Sequence, residues 1–131
     1  MKKTIEFLRS CGVFYLATAE GDQPRVRPFG ATAEFEGKLY LITGNGKDVF
    51  AQLTKNPKVE ISGTAPDGRW IRLTARAVRD DRVEARRAML EQNPELGAMY
   101  AENDGVMEVL YLADAEAKIC SFTAAPEIER F

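Results

Sequence analysis

Histidine is missing altogether from these 131 residues, and cysteine occurs only twice. No apolar run approaches the roughly 20 residues that a membrane-spanning helix needs. Without histidine the usual serine-hydrolase triad cannot be built. Cys11 and Cys120 fall in no CxxC or nucleophile pattern, and the chain has no clustered Cys or His of the kind an ordinary zinc site requires. In a reducing compartment both cysteines read as small buried or half-buried hydrophobes. A basic excess is also absent: the formal charge is −2 and the isoelectric point about 5.3. That balance opposes a nonspecific nucleic-acid binder, which normally carries a basic face. The start MKKTIEFLRSCG mixes charges into a helical pattern in place of a signal-peptide core, so a cytoplasmic location without membrane attachment is expected. With no linker, low-complexity run or internal repeat, one domain over 1–131 is the economical reading.

What is present is a change of period along the chain. Ile5 and Leu8, with Thr4 as a cap and Gly12 as a stop, predict a short helix over 3–11. From Val13 the chain turns β-branched and aromatic, punctuated by EGDQP and FEG, which predicts strands at 13–19, 24–35 and 38–43 in an antiparallel meander. KDVFAQLTKNP sets Val49, Phe50 and Leu53 on one helical face and ends at Asn56 and Pro57. Strands follow at 59–64 and 69–79 around a turn at APDG. Residues 82–103 read as two short helices broken at Asn93 and Pro94, and last come strands near 106–113 and 117–123. Strands without βαβ alternation argue for a mainly β (α+β) fold, an antiparallel barrel of about six to seven strands with peripheral helices.

Two basic elements stand out in this frame, PRVRPFG (24–30) and TGNGKDVFAQL (43–53). Residues two apart share a strand face, so Arg25 and Arg27 point the same way, while Lys47 sits at the mouth of the following helix. Arginine forks match phosphate oxygens, and a helix N-terminus offers free amides. With the amides around Asn45 to Asp48 and the Thr43 hydroxyl, these cations would neutralise a phosphate monoester. The competing reading makes them wet strand ends paired with Glu34, Glu36 or Asp48. Gly44 and Gly46 lack the third glycine of a dinucleotide fingerprint, and Asp48 stands where a Walker loop needs a hydroxyl, so the glycines mark a tight strand-to-helix turn.

Trp70, Arg72, Thr74 and Arg76 share one strand face opposite Ile71, Leu73, Ala75 and Ala77. The second set is core; the first lines a pocket, an interface or water, and the enrichment of Trp and Arg at interfaces favours the interface. Tyr15, Tyr40, Tyr100 and Tyr111 read as packed residues. Glu102, Asp104 and Glu108 cluster in sequence, but nothing fixes their separation, and no acid–base role is assigned to them. Any redox or transfer chemistry here would come from a cofactor. A small barrel binding single-stranded nucleic acid is a rival class, opposed by the negative charge.

FYLATAEGDQPRVRPFG, EGKLYLITGNGKDVFAQLTKNPKVEI, GRWIRLTARAVRDDRVEARRAML and CSFTAAPEIERF, in that order, resemble the pyridoxamine-phosphate-oxidase-like, flavin-binding split-barrel superfamily. Among its members the chain looks closest to small single-domain proteins grouped with nitroimidazole-resistance proteins. The resemblance implies a homodimer of split barrels with FMN in clefts at the subunit interface, and a deazaflavin would suit the same cations. It implies that Arg25 or Arg27 and Lys47 hold the phosphate, with Asn45 beside it. Ile42, Thr43 and Gly44 would pass the ribityl chain and ring, Pro28 and Phe29 would shape the ring pocket, Gln52 would add a contact, and Trp70 and Arg72 would approach the interface and bind there against the partner's flavin. The implied activity is a reductase moving electrons from a nicotinamide to a small acceptor such as a nitroaromatic or quinone. A flavin storage or sensing protein without turnover is the alternative. The ending CSFTAAPEIERF lacks the arginine–histidine motif that true pyridoxamine-phosphate oxidases use on their substrate, which opposes vitamin B6 oxidation; the missing histidine likewise disfavours haem handling.

Overall fold

The computed structural model describes residues 1–131. Helix α1 (Lys2–Cys11) ends at Gly12, whose φ of 73° is the left-handed conformation that glycine adopts at no steric cost. The strands are β1 (Phe14–Glu20), β2 (Gln23–Phe29), β3 (Ala33–Phe35), β4 (Lys38–Gly44), β5 (Lys58–Thr64), β6 (Trp70–Asp80), β7 (Met107–Cys120) and β8 (Glu127–Arg130). Helix α2 (Asp48–Lys55) follows β4, and helix α3 (Val83–Gln92) follows β6 and runs into a 3₁₀ turn at Pro94–Ala98. All pairings are antiparallel, in the order β2-β1-β5-β6-β7-β4-β3 with β8 added to β7. The result is the expected mainly β split barrel with peripheral helices.

The strand count is eight, and three local events explain how it differs from the sequence reading. The single strand expected at 24–35 is two, because Gly30–Thr32 leaves β1 and crosses to β4, where Ala33 pairs with Tyr40. The two last strands expected at 106–113 and 117–123 are one. β7 stays continuous through a bulge opposite Thr74 and Arg76 of β6, with Asp114 at φ 52° beside it and ion-paired to Arg76. That bend is where the barrel splits, since β7 pairs with β4 up to Tyr111 and with β8 from Glu116 onward. β8 itself was not legible: EIER has neither apolar alternation nor β-branched bulk beyond Ile128, and its strand state comes from pairing.

Alternation decides the core. In β6 the set Ile71, Leu73, Ala75 and Ala77 is buried while Arg72, Thr74 and Arg76 are exposed. These residues join Phe14, Leu16, Ile61, Leu110 and Leu112 in the main cluster, which α1 closes with Ile5, Phe7 and Leu8. Met89 and Ala85 of α3 complete a smaller cluster against Tyr40, Ile42 and Val109. Between them the Tyr40 hydroxyl donates to Asp80 at 2.7 Å, and Arg82 grips Asp80 and Glu36. Burial and the Asp80 carboxylate push the Tyr40 phenol well above its ordinary pKa, and the Arg82 guanidinium holds Asp80 well below the usual carboxylate range.

Candidate functional site

β2 is an edge strand, and that position turns an inner face into a site. Phe29, Arg27 and Arg25 stand opposite Phe14, Leu16 and Thr18 of β1, so they lie on the barrel's interior side, while Val26 on the other side is 68% exposed. With no further strand beyond β2, the interior side opens into a cleft of about 400 Å³. Its floor is Phe29, Ile42 and Val49, its rim is Pro28, and its cationic end is Arg27 and Lys47. A second hollow of about 430 Å³ shares Arg27, Lys47 and Val49 and adds Arg25, Glu20, Asp48 and Gln52. Clefts for small molecules commonly measure roughly 300–1,000 Å³ and combine apolar walls with a few polar groups.

The two arginines have different surroundings. Arg25 is paired with Glu20 at 3.0 Å on the surface. Arg27 donates from Nη1 to the Leu16 carbonyl at 3.2 Å and to Thr18 Oγ1 at 2.7 Å, and from Nη2 to Gln52 Oε1 at 2.6 Å. All three acceptors are neutral, so its charge is oriented without being cancelled. Burial, then the charge of Arg25, lower the Arg27 pKa, with Asp48 opposing; a guanidinium stays protonated regardless. Lys47 is the N-cap of α2, is exposed, and makes no ion pair or side-chain hydrogen bond. The first amides of α2 open beside it. The pairing with Glu34, Glu36 or Asp48 that competed for these cations is not seen: Glu36 is held by Arg82, and the Glu34 backbone engages Gln92.

Thr43 is only 3% exposed, makes no hydrogen bond through its hydroxyl, and lines the cleft with that group not fully enclosed. The structure thus brings Arg27, Pro28, Phe29, Ile42, Thr43 and Lys47 to one cleft, and Arg25 and Gln52 to the adjoining hollow. Gly44 lies behind the wall, where a Cβ would meet the Tyr100 hydroxyl at 3.3 Å. Asn45 faces elsewhere, donating to the Gly105 carbonyl at 2.8 Å and to Glu108 at 3.3 Å. Trp70 and Arg72 are not at this cleft. Trp70 pairs across to Cys120 and packs on Phe122, ring centroids 4.9 Å apart, with Phe122 itself 93% exposed.

One wall was missed by reading the sequence. The 3₁₀ turn supplies Glu95 and Leu96, and Met99 and Tyr100 follow it into the lining. Its sequence signal was only the break at Asn93 and Pro94, which marks an end of helix and says nothing of where the next turn packs. Glu102, Asp104 and Glu108 prove to be structural. Glu108 is held by Arg79 at 2.7 Å, Glu102 by Arg87, and Asp104 accepts from the amides of Ala101, Val106 and Met107. Cys11 and Cys120 are free and half-buried, and no helix is long and apolar enough to cross a membrane.

A family model described as pyridoxamine 5'-phosphate oxidase matches residues 1–109. Among solved structures, a nimC/nimA family protein from Clostridium acetobutylicum superposes with a TM-score of 0.98 at 53% identity, over 100% of this chain and 92% of the other. The General Stress Protein 26 from Bacillus anthracis str. Sterne gives 0.78 at 16% identity, over 99% and 97%. A pyridoxamine 5'-phosphate oxidase-related, FMN binding protein from Nostoc punctiforme gives 0.67 at 15% identity, over 99% and 93%. At such low identity the last two speak for the fold alone. No functionally curated protein matches the sequence.

Proposed function

This chain belongs to the pyridoxamine 5'-phosphate oxidase family, and from that premise we propose that it is an FMN-binding flavoprotein of the cytoplasm. In this reading it is a homodimer that takes electrons from a nicotinamide and passes them to a small acceptor such as a nitroaromatic or quinone. The observation that carries the ligand is the cationic end of the cleft. Arg27 is fixed by neutral acceptors and Lys47 is unpaired at a helix N-terminus, both against an apolar floor of Phe29, Ile42 and Val49. That donor set fits a phosphate monoester on a flat, largely apolar ring.

Arg27 would bind the phosphate with its remaining fork, and Lys47 with the first amides of α2 would neutralise the rest. Phe29, Pro28, Ile42 and Leu96 would exclude water from the ring, and Thr43 would offer a hydroxyl toward the polar part of the ligand. Bound FMN would supply the redox chemistry, and the side chains would position the ring and its phosphate. A deazaflavin phosphate presents the same anion and is the nearest competitor. The nimC/nimA relative supports the flavin-binding reading by kinship. Oxidation of vitamin B6 is not proposed; β8 is a structural strand, where Glu129 accepts from the amide and hydroxyl of Thr4.

Trp70, Arg72 and the exposed Phe122 are not among the cleft's lining residues and are proposed to face the partner subunit, where aromatic and arginine side chains are favoured. The test begins with whether the purified protein is yellow and releases FMN on denaturation. Anaerobic mixing with NADH or NADPH then separates turnover from storage: bleaching at a catalytic rate supports the reductase, and a bound flavin that stays oxidised refutes it.

A further inference from the structure

Gln52 is 5% exposed on the inner face of α2, yet it lies against the most polar part of the site. Its Oε1 accepts from the Thr18 hydroxyl and from Arg27 Nη2, each at 2.6 Å, and its Nε2 faces Glu20 Oε2 at 3.4 Å. These neighbours settle which way the amide points, because two donors face the oxygen and a carboxylate faces the nitrogen. A chain of contacts therefore runs from Arg25 through Glu20 and Gln52 to Arg27. The neutral amide divides the fates of the two arginines. Glu20 compensates Arg25, while Arg27 is gripped by carbonyl and hydroxyl oxygens alone. Of the five N–H donors of the Arg27 guanidinium, the hydrogen bonds to Leu16, Thr18 and Gln52 leave Nε–H and one Nη2–H free.

We propose that Gln52 is a positioning residue: it aims Arg27 into the cleft while leaving its charge uncompensated, and so sets the preference of the site for a phosphorylated flavin over the unphosphorylated one. The inference rests on the flavin reading above and assigns Gln52 a role through Arg27 in place of a direct contact with the ligand. Its chemistry is specific. A carboxylate in the same place would still accept from Thr18 and Arg27 but would lose the contact to Glu20 and cancel the guanidinium, and a phosphate carries a charge of about −1.5 to −2 at pH 7 that only an uncancelled cation can meet. Orientation and charge can therefore be separated by substitution.

The test titrates the full-length protein and its Gln52→Glu and Gln52→Met variants with FMN and with riboflavin, followed by quenching of flavin fluorescence. Gln52→Glu is expected to lose about 10- to 100-fold in FMN affinity, the scale of one charge-assisted hydrogen bond, while riboflavin affinity stays within about twofold. The salt dependence of FMN binding should weaken with it, because one effective cation has gone. Gln52→Met, similar in length and able to pack beneath α2, keeps the charge of Arg27 and loses its aim. It should show a smaller fall for FMN with the salt dependence of the native chain. A Gln52→Glu protein that retains the native FMN-to-riboflavin ratio overturns the inference, and so does a Gln52→Met protein that loses both ligands alike, since that is the mark of a merely structural role. A native chain that binds neither ligand overturns the flavin reading itself.

Discussion

Replacing Arg27 and Arg25 separately by alanine should give opposite outcomes although the residues are two apart on one strand face. Arg25 and Glu20 form a surface pair with side chains 50% and 53% exposed. Such pairs contribute about 0.2–1 kcal/mol, so Arg25→Ala should change stability by less than about 1 kcal/mol and FMN affinity by less than about threefold. Arg27→Ala removes three hydrogen bonds at partly buried neutral acceptors. Thr18 and Gln52 keep each other at 2.6 Å, which limits the stability loss to about 1–2 kcal/mol. Binding suffers more. Two free donors on a fixed cation, at about 1.5–3 kcal/mol for each charged hydrogen bond, amount to a loss of about 100-fold or more in FMN affinity. Adding Lys47→Ala to Arg27→Ala should abolish flavin retention with the far-ultraviolet circular dichroism unchanged, because Lys47 is exposed and makes no ion pair or side-chain hydrogen bond. Flavin fluorescence titration and thermal melting of the same samples separate the two effects. Equal FMN losses in the two single variants, or full retention in the double variant, would refute the assignment of the clamp.

Three further outcomes follow from the rest of the molecule. Asp80→Ala strands the Tyr40 hydroxyl, 0% exposed in the core, and leaves Arg82 with Glu36 alone; chemical denaturation should show a loss of about 3–5 kcal/mol, against about 1.5–3 for Tyr40→Phe, and an Asp80→Ala protein as stable as the native one would sink the buried-network account. Burial alone would raise the Glu129 carboxyl, but the N-terminal ammonium, Thr4 and the Lys3 amide pull it down to about 2. A depressed carboxylate stabilises above its unfolded value of about 4.5 and stops doing so as pH falls through 2, so Glu129→Gln should cost about 2–3 kcal/mol at pH 7 and converge with the native protein only below about pH 2; a difference independent of pH would contradict this. Gly63→Ala puts a methyl 3.1 Å from Cys11 Sγ and 3.2 Å from Phe14 Cβ, and crowding of a packed core should lower stability by about 1–3 kcal/mol; a neutral result by thermal melting would show that α1 yields there.

Period and punctuation in the sequence determined most of the elements. Alternation in β6 separated Ile71, Leu73 and Ala75 from Arg72 and Thr74, and the β2 spacing put Arg25 and Arg27 on one face, because a strand repeats every two residues whatever it pairs with. Order and spacing of four segments were enough to point to the family. Tertiary structure alone decided the rest, where the outcome depends on partners distant in the chain. β7 runs on through Asp114 because β6 holds both sides of the bulge, and β8 exists because β7 has an open edge beyond Tyr111. Glu20 takes Arg25 and leaves Arg27 to Thr18 and Gln52, residues 9 and 25 positions from Arg27 along the chain. Local sequence could announce two equivalent cations; only the packing of α2 against β1 made one of them a surface ion pair and the other a charge kept free for a ligand.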